Sequence, residues 1–389
     1  MAGPLEGIRV VELGVWVAGP ATGGILADWG ADVVKIEPPA GDPARTFGRM
    51  LGVTDDVSPP FEMDNRSKRS IVLDLTTDDG RNSAFELLSS ADVFVTNVRP
   101  GALRRLALDY ETVVGINPGL IYGLITGYGL TGPDADRAAY DVAAFWSRAG
   151  LAHLLTVPGH PPPFQRGGMG DHAVGMTLAA AICAALIARV RTGTGQLVTT
   201  SLYRQGAYTV SFDLNTFLLT GHPIAIGQRE SMGNPCMNNY TAGDGRRFWV
   251  VGLEGERHWP PLCRVVGHPE WLTDPRFAQP RARAANAVEL IGRLDEIFAT
   301  KSLDEWAEVF AREPDFFWSP INTVEDVIAD EQFHAAGGVV YVPDGDGGVP
   351  MVATPVDFHG TPWEPRWTAP GLGEHTDEVL AELRSGRSS

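Results

Sequence analysis

The stretch from Ile8 to Glu37, IRVVELGVWVAGPATGGILADWGADVVKIE, decides the fold. IRVVELG and ADVVKIE are β-branched apolar runs, and GPATGGILADWG between them has a helical pattern. A strand, a helix of this length and a second strand make a right-handed βαβ unit, which demands parallel pairing and a sheet covered on both faces. Pro20 suits the first turn of the helix, where its missing N–H costs nothing, and Gly19, Gly23 and Gly24 let a ligand or a strand come close to the backbone. The glycines lack the GxGxxG spacing of a dinucleotide fingerprint. Although Glu37 closes the second strand, a nicotinamide cofactor is therefore disfavoured.

Outward from this unit, SIVLDL, DVFVTN and GLIYGLITGYG repeat the strand pattern, with a helix through AFELLSSA, and the fold class is α/β. A long helix is expected from Asp171 to Arg191, then a strand at QLVTTSLY and a helix near Gly206 to Leu219. Gly, Pro and Asn crowd GHPIAIGQRESMGNPCMNNYTAGDG, a junction or an active-site loop. A second unit follows, with a strand at FWVVGLE and helices around Trp259–Val266, Val288–Ala299 and Leu303–Arg312. From about Gly337 the chain returns to strand patterns, GVVYVPD and VPMVATPVDF, and closes with the helix EHTDEVLAELRSG.

The chain has 389 residues, 44% of them apolar and 20% charged, as in ordinary globular enzymes, and is long enough for two domains. Its formal charge of -17 argues against a nucleic-acid partner or an acidic membrane surface. The most apolar window, Met176–Val190, is shorter than the ~20 residues of a bilayer span and is expected to be a buried core helix. MAGPLEG runs directly into the first strand without the pattern of a signal peptide. Cys183, Cys236 and Cys263 are far apart and lack metal-ligand spacing, so buried thiols in a reducing cytoplasm are expected and no metal is. GxSxG, HExxH and GxxxxGK[ST] motifs are missing.

The local candidate for chemistry is Asp171, in GMGDHAVGMTLAAAICAALIARVRTGTGQ. A carboxylate at the foot of a helix is an effective N-cap, worth roughly 1 kcal/mol, and local sequence favours that reading. The same geometry serves a nucleophile, because Gly167, Gly168 and Gly170 clear space for a substrate and backbone N–H groups could hold an oxyanion. Arg66, Lys68 and Arg69 in NRSKRSIVLDL, with Arg99, Arg104 and Arg105 in RPGALRRLAL, are either solvated surface charge or a site for an anionic cofactor. His153, His160 and His172 lie near Asp171 in sequence. Trp16, Phe316, Phe317 and Trp318 could line an apolar pocket or belong to a core.

RVVELGVWVAGP, ADVVKIEPPAGD, NRSKRSIVLDL, DVFVTNVRPGALRRL, INPGLIYGLITGYGLTGP, YDVAAF, GDHAVGM, RTGTGQ and GEHTDEVLAEL, in that order, make the chain similar over nearly its whole length to the class III CoA-transferase family. That family groups formyl-CoA transferase with the carnitine and bile-acid CoA-transferases, and has α-methylacyl-CoA racemase as a side branch. The resemblance implies a Rossmann-like parallel-sheet large domain in residues 1–220, a smaller α/β domain in 221–335, and a segment, 336–389, that returns to the large domain. It also implies an interlocked homodimer. By the match to the GD motif, Asp171 is the nucleophile. CoA contacts are implied at Val17 and Ala18, at Leu73, Asp74 and Leu75, at Asn97, Val98 and Arg99, at Arg105 and at Tyr140, so that the basic clusters would hold CoA phosphates. CoA is substrate here, with no tightly bound cofactor; the partners are acyl-CoA and a carboxylic acid, with no membrane.

The implied reaction moves CoA from a donor to an acceptor acid through an aspartyl anhydride and an aspartyl-CoA thioester. Gly170, and the loop at Gly233 and Asn234, are the implied oxyanion donors. Four departures from family patterns stand out. Val17 replaces the glutamine of the formyl-CoA and oxalate enzymes, which points to a larger or less polar acid. Pro38 replaces a basic residue, SMGNPCMNNY lacks a tetraglycine loop, and Tyr140 replaces the racemase histidine. Racemisation is thereby the runner-up, dependent on His172 or His153, and a catalytically silent CoA-binding protein is the third reading.

Overall fold

The computed structural model describes residues 3–53, 57–224 and 228–385. Residues 1–2 of the expected leader-free start, 225–227 of the expected junction and Gly386 at the end of the last expected helix lie outside the described residues. The chain divides into two compact units: Met1–Gly221 with Ala335–Ser389, and His222–His334.

In the first unit six strands form one sheet: β1 (Arg9–Leu13), β2 (Asp32–Glu37), β3 (Arg69–Val72), β4 (Val93–Thr96), β5 (Ile121–Thr126) and β6 (Gln196–Ser201). Their order is β3-β2-β1-β4-β5-β6, and every neighbouring pair is parallel. Successive side chains on a strand point to opposite faces, so β1, β2, β4 and β5 each feed two cores. Val10, Val33, Val93 and Val95 join a cluster with Leu26 of the Ala18–Asp28 helix and with Val174, Leu178 and Ile182 of the Met169–Thr192 helix. Val11, Val34, Ile36 and Phe94 join the other, with Leu87, Leu103, Val113 and Val379 from four further helices.

The long helix starts two residues before the expected Asp171 and runs for 24 residues. That length, with its apolarity, reaches what a bilayer span needs and corrects the expectation of a segment too short to cross one. Val174, Leu178, Ala179, Ile182, Ala185 and Leu186 are buried in this unit, whereas Ile187 and Val190 are exposed. The single helix expected from Gly206 begins at Leu202, where Ser201 Oγ accepts from the Arg204 N–H, and is interrupted at Val210 between Leu202–Thr209 and Ser211–Thr220.

The C-terminal segment supplies the hairpin β10 (Val339–Asp344) and β11 (Gly347–Val352), then runs along the free edge of β3. There the His375 N–H donates to Ser70 O, and the Val72 N–H donates to Thr376 Oγ1. The second unit packs helices Gly255–Val265, Ala287–Phe298 and Leu303–Phe310 on an antiparallel sheet of β7 (Met237–Thr241), β8 (Arg247–Val251) and β9 (Trp318–Pro320). Phe248, Phe298, Trp306, Phe310 and Phe316 dominate its core.

Candidate active site

In an open parallel sheet, a crevice forms outside the carboxyl ends of the strands where the strand order reverses. Here the reversal lies between β1 and β4, because the chain leaves β1 toward β2 and leaves β4 toward β5. A cleft of about 380 Å³ opens there, between the Val15–Ala18 turn after β1, the Asn97–Ala102 turn after β4, the end of β5 and the Ala135–Asp141 loop. Asp171 lines it too.

The turn after β1 is held from three sides. Asn97 Oδ1 accepts from the Val15 N–H at 3.0 Å, and Asn97 Nδ2 donates to Val15 O at 2.8 Å. Trp16 has φ 64, a left-handed conformation that a bulky residue adopts only when its surroundings impose it. Its N–H donates to Asp42 Oδ1 at 3.0 Å, and its ring meets Phe47 and Tyr140 edge-on. Asp42 is anchored in turn by Lys35 Nζ at 2.9 Å, which also reaches Gly14 O and Glu12 Oε1. Lys68 Nζ binds the other Glu12 oxygen at 2.7 Å and Pro20 O at 2.8 Å. Two lysines and a glutamate, all fully buried, therefore brace the floor of the cleft.

Asp171 does not cap its helix. Gly168, with φ 76, stands at the N-cap and no side chain there caps the helix, which places Asp171 in the first turn. The carboxylate that meets the orphan donors is Asp141: its Oδ2 accepts from the Gly170 N–H at 2.9 Å and from the Asp171 N–H at 3.4 Å. Gln165 Nε2 donates to Asp141 Oδ1 at 2.7 Å. Gly170 makes room for Asp141 and Phe145 rather than for an acyl group, since a Cβ there would lie 2.3 Å from each. Its N–H is taken, which removes it as an oxyanion donor. The first N–H groups of the Ala18–Asp28 helix, which begins on the cleft wall, have no intrahelical acceptor and can serve instead.

Asp171 is thus a carboxylate whose own backbone is fixed by another carboxylate. Burial, reinforced by the charges of Asp141 and Asp64 and offset in part by His172, pushes its pKa up to about 7. His172 Nε2 lies 3.1 Å from Asp64 Oδ1, at the end of the Pro59–Asn65 helix. Burial opposes the imidazolium, but the hydrogen bond and charge of Asp64, with Asp171 and Asp141, outweigh it and raise the His172 pKa above its ordinary value.

The cleft gathers Val17, Ala18, Asn97, Val98, Arg99 and Tyr140 around Asp171. Leu73, Asp74, Leu75 and Arg105 do not line it. Leu73 is core, Leu75 packs against that core, and Asp74 accepts from the Thr76 N–H and Oγ1 in the turn after β3. Arg105 lies exposed on the Pro100–Leu106 helix. Asn97 lines the cleft, yet its amide is spent on Val15.

The NRSKRS cluster is neither solvated nor a phosphate site. Arg66 pairs with Asp28, Lys68 with Glu12, and Arg69 with Asp32, Glu378 and Glu382. Arg104 pairs with Asp136; Arg99 and Arg137 line the cleft, and Arg137 also pairs with Asp134 at 3.5 Å. His153 and His160 are exposed and stand outside it. Phe316 belongs to the core of the second unit, Trp318 packs on it and Phe317 is exposed. In Asn234, also in that unit, Nδ2 donates to Gly252 O and Oδ1 accepts from the Cys236 N–H.

Sequence reading missed Asp141, Asp64 and Arg137. Asp141 was legible in principle, as an acid opening the apolar run VAAFW beside Tyr140. Glu12 and Lys35 were legible too, as charges inside apolar parallel strands; they are direct partners in the β1–β2 register.

Three comparisons bear on this geometry. The profile of CoA-transferase family III matches residues 5–376. The (R)-2-hydroxy-4-methylpentanoate CoA-transferase of Clostridioides difficile is 34% identical over 97% of this chain and 95% of its own length. The succinate–glutarate CoA-transferase of Agrobacterium fabrum is 36% identical over 98% of this chain and 96% of its own. Among solved structures, a CaiB/BaiF family protein from Brucella suis superposes with a TM-score of 0.87 at 34% identity, covering 98% of this chain and all of that one. With a family profile spanning nearly the whole chain and a carboxylate in the cleft at the switch point of its sheet, the protein belongs to CoA-transferase family III and is an enzyme of that class.

Proposed function

We propose that Asp171 is the nucleophile of CoA transfer from an acyl-CoA to a carboxylic acid. The observation that carries this reading is a carboxylate in the cleft that, among the described residues, is charge-paired by no lysine or arginine and is pressed by two other carboxylates. An Asp171 oxygen attacks the thioester carbonyl carbon, the C–S bond breaks and CoA departs as thiolate, leaving a mixed anhydride. The thiolate then attacks Asp171 Cγ, expels the donor acid as its carboxylate and forms an aspartyl-CoA thioester. The acceptor carboxylate displaces CoA through a second anhydride, and the thiolate finally takes the acceptor acyl group and frees Asp171. Each acylation of Asp171 removes one negative charge from beside Asp141 and Asp64, which favours the covalent states. Alignment of the bound thioester supplies much of the rate, since well-oriented groups recover roughly 7–11 kcal/mol of barrier.

In this reading Val17, Ala18, Val98, Arg99 and Tyr140 contact the CoA thioester, with Arg99 and Arg137 for its anionic part and backbone N–H groups at Val17 and Ala18 for the oxyanion. Trp16, Val17 and Tyr140 form an apolar wall that suits an acid larger or less polar than oxalate. A homodimer, interlocked as the resemblance implies, is part of the proposal. It is supported by Tyr208, Phe212, Leu218 and Leu219, all more than three-quarters exposed on adjacent helices. A cytoplasmic setting, the last part, accords with three free thiols, two of them buried. Asp171→Ala should lower transfer by about 10³-fold or more with the fold intact by circular dichroism. In the parent enzyme, ¹⁸O from a labelled acceptor acid should appear in Asp171 by peptide mass spectrometry. Retained transfer in the variant would sink the covalent route.

A further inference from the structure

Asp141, before the π-helical turn Val142–Arg148, and Asp171 line the cleft, and buried Asp64, at the end of the Pro59–Asn65 helix, adds its charge to theirs. Asp141 has both oxygens engaged, on Gln165 and on the Gly170 and Asp171 N–H groups. Asp64 is buried and uses one oxygen on His172 Nε2, while its Oδ2 has no hydrogen-bond partner among the described residues. A buried carboxylate with an unpaired oxygen costs stability and needs a reason. Lys68 also acts on Asp64 through its charge, but its donors go to Glu12, Pro20 O and Asn65 Oδ1. The His172 ring lies against Gly168, where a Cβ would come within 3.1 Å of Cε1 and Nδ1, so the N-cap glycine leaves the space the imidazole fills.

We propose that His172, held as an imidazolium by Asp64, is the counter-ion that keeps Asp171 a carboxylate as the donor thioester arrives. The proposal rests on Asp171 being the nucleophile. His172 is a positioning residue: it acts through Asp171 and forms no bond to the acyl carbon. Among the described residues the charged groups acting on Asp171 are Asp141, Asp64 and His172, and of these three the last favours its ionised form. With His172 uncharged, the repulsion from Asp64 and Asp141 is unopposed, and Asp171 holds its proton to higher pH.

The test is the pH profile of kcat/KM for His172→Gln, with the Asp171-linked CoA adduct followed by mass spectrometry at each pH. The acid limb should move up by about one pH unit, so that turnover falls about tenfold near pH 6 and returns to within about threefold of the parent near pH 9. His172→Lys, which keeps a cation without the imidazole, should restore most of the activity near pH 6. An equal loss at all pH values in both variants would make His172 a structural residue and overturn the proposal, as would an unmoved acid limb in His172→Gln. If the parent enzyme shows no Asp171 adduct at any pH, the nucleophile assignment fails and the counter-ion role fails with it. An adduct in the parent with an unmoved limb in the variant refutes the counter-ion role alone.

Discussion

Glu12 and Asp171 are two carboxylates in one layered unit, and their surroundings drive them in opposite directions. Burial works against the Glu12 anion, but Lys35 and Lys68, each hydrogen-bonded to one of its oxygens, outweigh it and hold the pKa below the ordinary carboxylate value. At Asp171 burial acts in the same sense, yet the neighbouring charges are mostly acids, and the pKa rises to about 7. A buried charge with its partners in place is architecture; one set beside like charges is stored reactivity. The two are coupled through the β1 turn, since the lysines that neutralise Glu12 also hold Gly14 O, Pro20 O and Asp42 behind Trp16.

Breaking the paired side should have the largest effect on stability. Lys68→Met leaves Glu12 with one cation and should cost about 3–5 kcal/mol, read from the urea midpoint at neutral pH. Adding Glu12→Gln should return part of that loss, and a cost below about 1 kcal/mol would show that the network does not brace the fold. Asn97→Ala tests the link between the two regions. Losing both hydrogen bonds to Val15 should cost about 1–3 kcal/mol and raise KM for acyl-CoA, with the Asp171 adduct still formed. An unchanged KM would separate the turn from substrate binding.

The smallest effect has the opposite sign. Because the folded pKa of Asp171 lies above that of an unfolded aspartate, its stability contribution is complete at low pH and is lost as pH rises through about 7. Asp171→Asn should match the parent near pH 4, gain on it between about pH 4 and 7, and stay roughly 1 kcal/mol or more ahead above that. Thermal melts across this range would check it; a constant gap would mean that folding does not raise the Asp171 pKa.

Much of the scaffold was legible because parallel strands buried on both faces are written as continuous apolar runs, and the turns between them as glycine and proline. The nucleophile candidate was legible only as a choice between cap and chemistry. The structure removes the cap, since Gly168 occupies that position and Asp141 takes the donors. The basic segment NRSKRS was misread because its partners are remote: Arg66 reaches back to Asp28, Lys68 to Glu12, and Arg69 forward to Glu382. No local pattern distinguishes a solvated lysine from one aimed at a glutamate 56 positions away.

By itself the sequence determined the alternation of strand and helix, hence a layered α/β unit, and a carboxylate at the start of its longest helix, because these depend on neighbours along the chain. Only the tertiary structure decided what that carboxylate is. Its ionisation is set first by burial and then by Asp141, Asp64 and His172, brought together from positions 30 and 107 residues upstream and one downstream of 171, and both burial and Coulomb energy depend on distance in space, not in sequence.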